Sequence, residues 1–120
     1  MRILVCDDEV VVLKVVEVAL EKSGAEVLFV KDGDKAMKAL KDNSHFDLII
    51  TDIHMPYYNG DDILKFVREE QKRNTPIVML SSDAEEEVIA LALKQGVNDF
   101  IVKPITAEKL LKKIKRFLIA

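Results

Sequence analysis

The sequence predicts an α/β domain: a parallel sheet with helices on both faces. Three observations predict it. The hydrophobic pattern alternates five times between a short apolar run and a stretch of helical period, and strands that alternate with helices need right-handed crossovers, which make the sheet parallel. The short runs are mostly continuous blocks of apolar residues, as expected of strands covered on both sides. The chain has 120 residues, 49% of them hydrophobic and 32% charged. That suffices for one core over residues 1–120 and is unlike a disordered chain.

Ile3-Leu4-Val5-Cys6 is the first strand. From Glu9 to Lys22 the period becomes helical, with Leu13, Val16 and Leu20 inward, Asp8 as N-cap and Ser23-Gly24 as the stop. Val27-Leu28-Phe29-Val30 is the second strand. Ala36, Met37, Ala39 and Leu40 mark a second helix, begun near Asp32-Gly33-Asp34 and lost by Asn43-Ser44. Leu48-Ile49-Ile50 is the third strand, and Ile63, Leu64 and Val67 mark a third helix after Asn59-Gly60. Ile77-Val78-Met79-Leu80, entered through Pro76, is the fourth strand. A fourth helix, capped by Ser82 or Asp83, turns Val88, Leu91 and Ala92 inward and ends at Gly96. Phe100-Ile101-Val102 is the fifth strand. Leu110, Leu111, Ile114 and Phe117 form the inner stripe of a last helix whose basic run faces solvent.

Composition narrows the function. Eighteen Lys and Arg against 21 Asp and Glu leave a net charge of −3, so direct nucleic-acid binding by this domain is not expected. No apolar run is long enough to span a bilayer, and the start lacks the length and cleavage site of a secretory leader. With a single cysteine, Cys6, no internal disulfide is possible. A cytoplasmic protein is the expectation, and Cys6 reads as a small buried residue.

In an open parallel sheet, ligands bind outside the carboxyl ends of the strands. Four of the five strands deliver a polar or ionisable group there: Asp7 and Asp8, then Asp52, then Ser81 and Ser82, then Lys103. Each alone has an ordinary explanation as a cap, a turn residue or a surface lysine, but caps account for only some of them. Three carboxylates at one edge stay ionised together only if a cation or strong donors compensate. The donors are all oxygen, which suits Mg²⁺ and disfavours zinc or iron. A lysine and a hydroxyl beside such a site can bind phosphoryl oxygens, and a carboxylate between them can attack phosphorus to form an acyl phosphate.

These residues resemble the receiver domain of two-component response regulators, the single-domain chemotaxis regulators among them. The matching segments are Leu4-Val5-Cys6-Asp7-Asp8-Glu9, Asp47-Leu48-Ile49-Ile50-Thr51-Asp52-Ile53-His54-Met55-Pro56, Asn59-Gly60, Pro76-Ile77-Val78-Met79-Leu80-Ser81 and Gly96-Val97-Asn98-Asp99-Phe100-Ile101-Val102-Lys103-Pro104. The resemblance runs from Ile3 to about Leu118. It implies a flavodoxin-like, doubly wound, three-layer fold of five strands in the order 2-1-3-4-5 with five helices. It implies that Asp52 accepts phosphorus from a sensor histidine kinase or phosphotransfer protein. Asp8, Asp52 and the backbone carbonyl of His54 would ligate Mg²⁺, with Asp7 acting through a bound water. Lys103 would bridge Asp52 and a phosphoryl oxygen, and Ser81 would bond another. Phe100 would turn inward as Ser81 is drawn to the phosphate, and the Lys103-Pro104 peptide would be cis.

The chain departs from the family's commonest pattern at Ser81 for Thr, Ser82 for Ala, Phe100 for Tyr and Ile105 for Phe. None of these removes a group the chemistry needs, although a Phe switch works by packing alone. The His54 side chain is either a tuner of phosphoryl lifetime or an exposed loop residue that contributes only its carbonyl. Tyr57-Tyr58 reads as loop packing. On the fourth helix Ile89 and Leu93 fall about 100–140° from the inward residues. Their expected role is a partner or dimer surface beside Phe100 that changes with phosphorylation, addressing an output domain, a downstream protein or a second copy.

Three other readings compete. An aspartyl phosphatase usually carries a second Asp where His54 stands, so the chain is expected not to be a turnover enzyme. A flavin-binding protein needs donors after its first strand, where Asp7-Asp8-Glu9 would repel a phosphate. A receiver-like module that no longer takes phosphate would lack one of Asp7, Asp8, Asp52, Ser81 and Lys103, and all are present.

Overall fold

The computed structural model of the chain describes residues 1–42, 45–82 and 86–118, the side chains of 86–88 excepted. Its elements are β1 (Arg2–Cys6), α1 (Val10–Leu20), β2 (Glu26–Val30), α2 (Gly33–Lys41), β3 (Leu48–Asp52), α3 (Gly60–Lys65), β4 (Ile77–Ser81), α4 (Glu86–Lys94), β5 (Asp99–Val102) and α5 (Ala107–Ile114). A π-helical turn, Phe66–Glu70, prolongs α3, and a 3₁₀ turn, Lys115–Phe117, prolongs α5.

The strands form one parallel sheet in the order β2-β1-β3-β4-β5. Alternate residues of each strand point to opposite faces, and both faces are covered. Ile3, Val5, Ile50, Val78 and Ile101 pack with Val12, Leu13 and Val16 of α1 and Leu110 and Ile114 of α5. Leu4, Cys6, Ile49, Ile77 and Met79 pack with Ala36, Met37 and Leu40 of α2, Ile63 and Leu64 of α3, and Ala92 near α4's end. The sequence expectation of an α/β/α sandwich holds because every central strand is apolar on both of its faces.

Local signals start the helices. The Asp32 carboxylate accepts from the Lys35 backbone N–H at 2.8 Å to cap α2, and Thr106 caps α5 through Lys109 N–H. Asn59 and Asp62 form a reciprocal capping box on α3, each side chain accepting from the other's backbone N–H at 3.0 Å. That box fixes where the chain leaves the β3 end.

Five expectations are corrected. Helix α1 is entered through Glu9, not Asp8; the Glu9 side chain makes no capping bond, and its N–H donates to Asp7 Oδ1 instead. On α4, Leu91 faces solvent at 56% exposure while Ala92 is buried. Ile89 packs against the core beside Ala92, and that i, i+3 pair turns Leu91 outward. Leu111 is likewise 39% exposed, because α5 is short and buries the narrow stripe of Leu110 and Ile114, continued by the half-buried Phe117. Tyr57 does not pack the loop: it is 81% exposed, with φ at +71°. The expected break at Asn43-Ser44 and the Asp83 cap lie outside the described residues, and Val88 lies outside the described side chains. The basic face of the last helix is not wholly solvated, since Arg116 and Lys113 reach Asp99 at 3.2 and 3.7 Å.

Candidate functional site

Sheet order alone gathers the polar groups. Strands β1 and β3 are neighbours, with Cys6 opposite Thr51, so Asp7 and Asp52 come next on adjacent strands. The order reverses at this point, since β2 lies beyond β1 and β4 beyond β3, which is where an open α/β sheet leaves a crevice. Strand β4 brings Ser81, and the Lys103 backbone N–H donates to the Ser81 carbonyl at 2.7 Å. The Lys103-Pro104 peptide is cis.

Lys103 Nζ lies 3.0 Å from Asp7 Oδ2 and 3.3 Å from Asp52 Oδ2. It donates to Glu9 Oε1 at 2.9 Å. Asp7 is fully buried, Ser81 is 1% exposed and Asp52 6% exposed, while Asp8, Glu9 and His54 are exposed. One oxygen each from Asp7, Asp8, Glu9 and Asp52 lie within 4.8 Å of one another. All the acids expected from the sequence are therefore together, with the ammonium among them. Glu9 is the residue that sequence reasoning passed over as a site member. It stands next to Asp7-Asp8, but its reach to Lys103 bridges 94 positions of the chain.

Burial sets the protonation of this cluster. It pushes the Asp7 carboxyl above its ordinary value; the Glu9 N–H and Lys103 oppose the shift, and Asp52 adds to it. Burial also raises Asp52, against the pull of Lys103 and a hydrogen bond from the His54 backbone N–H, with Asp8 adding repulsion. For Lys103, burial favours the neutral amine, but its hydrogen bond to Glu9, its close contact with Asp7 and the charges of Asp7 and Asp52 overturn this and hold it protonated. Three carboxylates thus share one ammonium, with Asp8 beside them, and the charge does not balance.

The residues fit a small hard cation. Asp7 Oδ2 is buried with no hydrogen-bond donor among the described residues; Lys103 stands 3.0 Å from it as a charge contact. An unsatisfied buried carboxylate oxygen is costly, and an all-oxygen donor set can answer it with a divalent ion of the magnesium type.

The charge imbalance predicts a pH effect. A carboxyl raised in the fold favours the folded state while protonated, below about pH 3.8, the ordinary value. That advantage is lost as pH rises through the raised value. Asp52→Asn without divalent ions should therefore melt about 2–5 °C above the parent at pH 7. The difference should close as pH falls toward the ordinary value, a course that thermal melts across pH would follow.

Comparison with known proteins places these features. The family model described as "Response regulator receiver domain" matches residues 3–115. Over 114 residues the chain is 40% identical to the sensory/regulatory protein RpfC of Xanthomonas campestris pv. campestris, covering 92% of this chain but only 16% of that protein. It is 35% identical to the chemotaxis protein CheY1 of Helicobacter pylori, covering 96% of this chain and 94% of that one. Among solved structures, the chemotaxis response regulator CheY4 of Vibrio cholerae superposes with a TM-score of 0.84 at 33% identity, covering 97% of both chains.

Proposed function

Because the chain belongs to the response regulator receiver family, we propose that it is one receiver domain over residues 1–120, with Asp52 as its phosphoacceptor. Asp52 ends β3, the strand between β1 and β4, within the acidic cluster and with Lys103 3.3 Å away, and that position carries the reading. One Asp52 oxygen attacks the phosphorus of a phosphohistidine on a sensor kinase or phosphotransfer protein. The P–N bond breaks, the imidazole leaves, and an acyl phosphate forms on Asp52. Lys103 holds the transferred oxygens, and the buried Ser81 hydroxyl bonds another of them.

Asp7, Asp8, Asp52 and the His54 carbonyl would hold Mg²⁺, which when bound offsets the negative charge of acids and phosphoryl group together. The exposed His54 side chain stands free to act on phosphoryl lifetime. Its backbone has a role of its own, the N–H donated to the Asp52 carboxylate.

The product is a switch and not a turnover enzyme. Phe100 is buried in one cluster with Ala92 and Val97, and Ile89 of α4 packs against it, while Leu93 of the same helix is exposed. Drawing Ser81 toward a phosphoryl oxygen would shift the packing of Phe100 and Ile89 and alter the face formed by Leu93 and its exposed neighbour Leu91. An output domain, a downstream protein or a second copy would read that face from the cytoplasm.

Acetyl phosphate with Mg²⁺ tests the reading. The expected result is one alkali-labile phosphoryl group per chain, absent without Mg²⁺ and absent in Asp52→Ala. Full labelling of Asp52→Ala would remove Asp52 from the role.

A further inference from the structure

We propose that Glu9 is a gate on Lys103: it holds the lysine in the unphosphorylated protein and must release it before a phosphoryl group can be bound. The gate rests on Asp52 being the phosphoacceptor. An ammonium has three N–H groups, and three carboxylates already stand within 3.3 Å of this one: Asp7 at 3.0 Å, Glu9 at 2.9 Å and Asp52 at 3.3 Å. Of the three, Glu9 alone takes a hydrogen bond from the ammonium among the described residues, so a phosphoryl oxygen that enters this crowded set competes with Glu9 for Lys103.

Burial also selects Glu9. The Asp7 side chain is 0% exposed and that of Asp52 8%, whereas the Glu9 side chain is 57% exposed. Releasing Asp7 would strand a buried charge; releasing Glu9 returns a carboxylate to water and costs little. Asp7 is also tied down by the Glu9 N–H at 2.8 Å, while nothing besides Lys103 holds the Glu9 carboxylate among the described residues. Space for the swing exists. A cleft of ≈ 290 Å³ opens between α1 and the β5–α5 connection, lined by Glu9 and Lys103 with Val12, Ser82 and Pro104.

Glu9 therefore acts through Lys103 as a positioning residue. Its presence keeps the lysine from closing permanently on Asp52, and its departure frees an N–H for the incoming group. Two effects of Glu9 need separating: occupation of Lys103 and plain repulsion of an anion. Glu9→Asp keeps the charge but is one methylene too short to hold Lys103 in the same place. Glu9→Gln removes the charge.

Beryllofluoride, a stable anionic stand-in for the phosphoryl group, is titrated at saturating Mg²⁺ into the parent protein and both variants. Acetyl phosphate labelling rates are measured alongside, with melting curves to verify the fold. A half-exposed ion pair predicts binding about 3- to 5-fold tighter in both variants, with labelling faster by a similar factor. Tighter binding in Glu9→Gln alone reduces Glu9 to a repelling charge and overturns the gate. Affinities equal to or weaker than the parent's in both variants overturn it as well. A parent protein that binds no beryllofluoride at all overturns the phosphoacceptor reading and the gate with it, an outcome distinct from either of the others.

Discussion

Replacing Lys103 by methionine is expected to lower stability at neutral pH by about 3 kcal/mol and to slow phosphoryl uptake by about 100-fold or more. The stability loss comes from the acids left behind. Asp7 and Asp52 are buried beside Lys103, and breaking a buried pair by removing one partner leaves an uncompensated charge. Methionine preserves most of the stem's packing, so the loss reports charge and not a cavity. The effect should depend on pH with a definite sign. Lys103 lowers the Asp7 and Asp52 carboxyls even though burial leaves both above their ordinary value of 3.8. Without it both rise further, and protonation relieves the variant from a higher pH downward. Denaturant unfolding at several pH values should show parent and variant converging as the solution is acidified. A constant difference down to low pH would assign the loss to packing. Uptake behaves differently: Asp52 is intact, so slow labelling survives, and restoring stability with acid does not restore the rate.

The Lys103 site shows what a sequence can and cannot disclose. Asp7, Asp52, Ser81 and Lys103 were legible because each directly follows or ends an apolar strand, and the sheet edge then follows from the alternation of strands and helices. Their convergence needed only the strand order. Glu9 was not legible as a partner of Lys103, because a half-exposed glutamate after a strand looks like any first-turn acid. The distance across the β1–β5 gap is a tertiary fact. Helix phase failed for a related reason. Leu91 outranks Ala92 in hydrophobicity, but a helix on a sheet buries one stripe, and the stripe of α4 is set by Ile89 and Ala92 against Val97 and Phe100. Leu111 lost its place to Leu110 and Ile114 by the same rule. Strands β1, β3 and β4 escaped this ambiguity, since both of their faces are buried and no phase has to be chosen.

Gly33→Ala is expected to cost about 3 kcal/mol, on the order of 10 °C in melting temperature, although alanine favours helices. Gly33 opens α2, and its N–H donates to the Pro56 carbonyl at 3.0 Å. A Cβ there would overlap the Tyr58 carbonyl oxygen and stand 2.5 Å from both Tyr58 N and Tyr58 Cβ. Two of those atoms are backbone and the third is bonded to it, so no rotamer change gives way. The loop between β3 and α3 has to move, and that loop carries His54, whose N–H meets Asp52. Acetyl phosphate labelling should therefore slow together with the loss of stability. Gly24→Ala isolates the other way in which a glycine can matter. Gly24 has φ at +74° with no atom of the described residues within 4 Å of the added atom, so left-handed strain remains, about 1–2 kcal/mol, with labelling unchanged. Equal losses in the two variants would mean that contact with Tyr58 contributes nothing and that the loop over the site is not braced by α2.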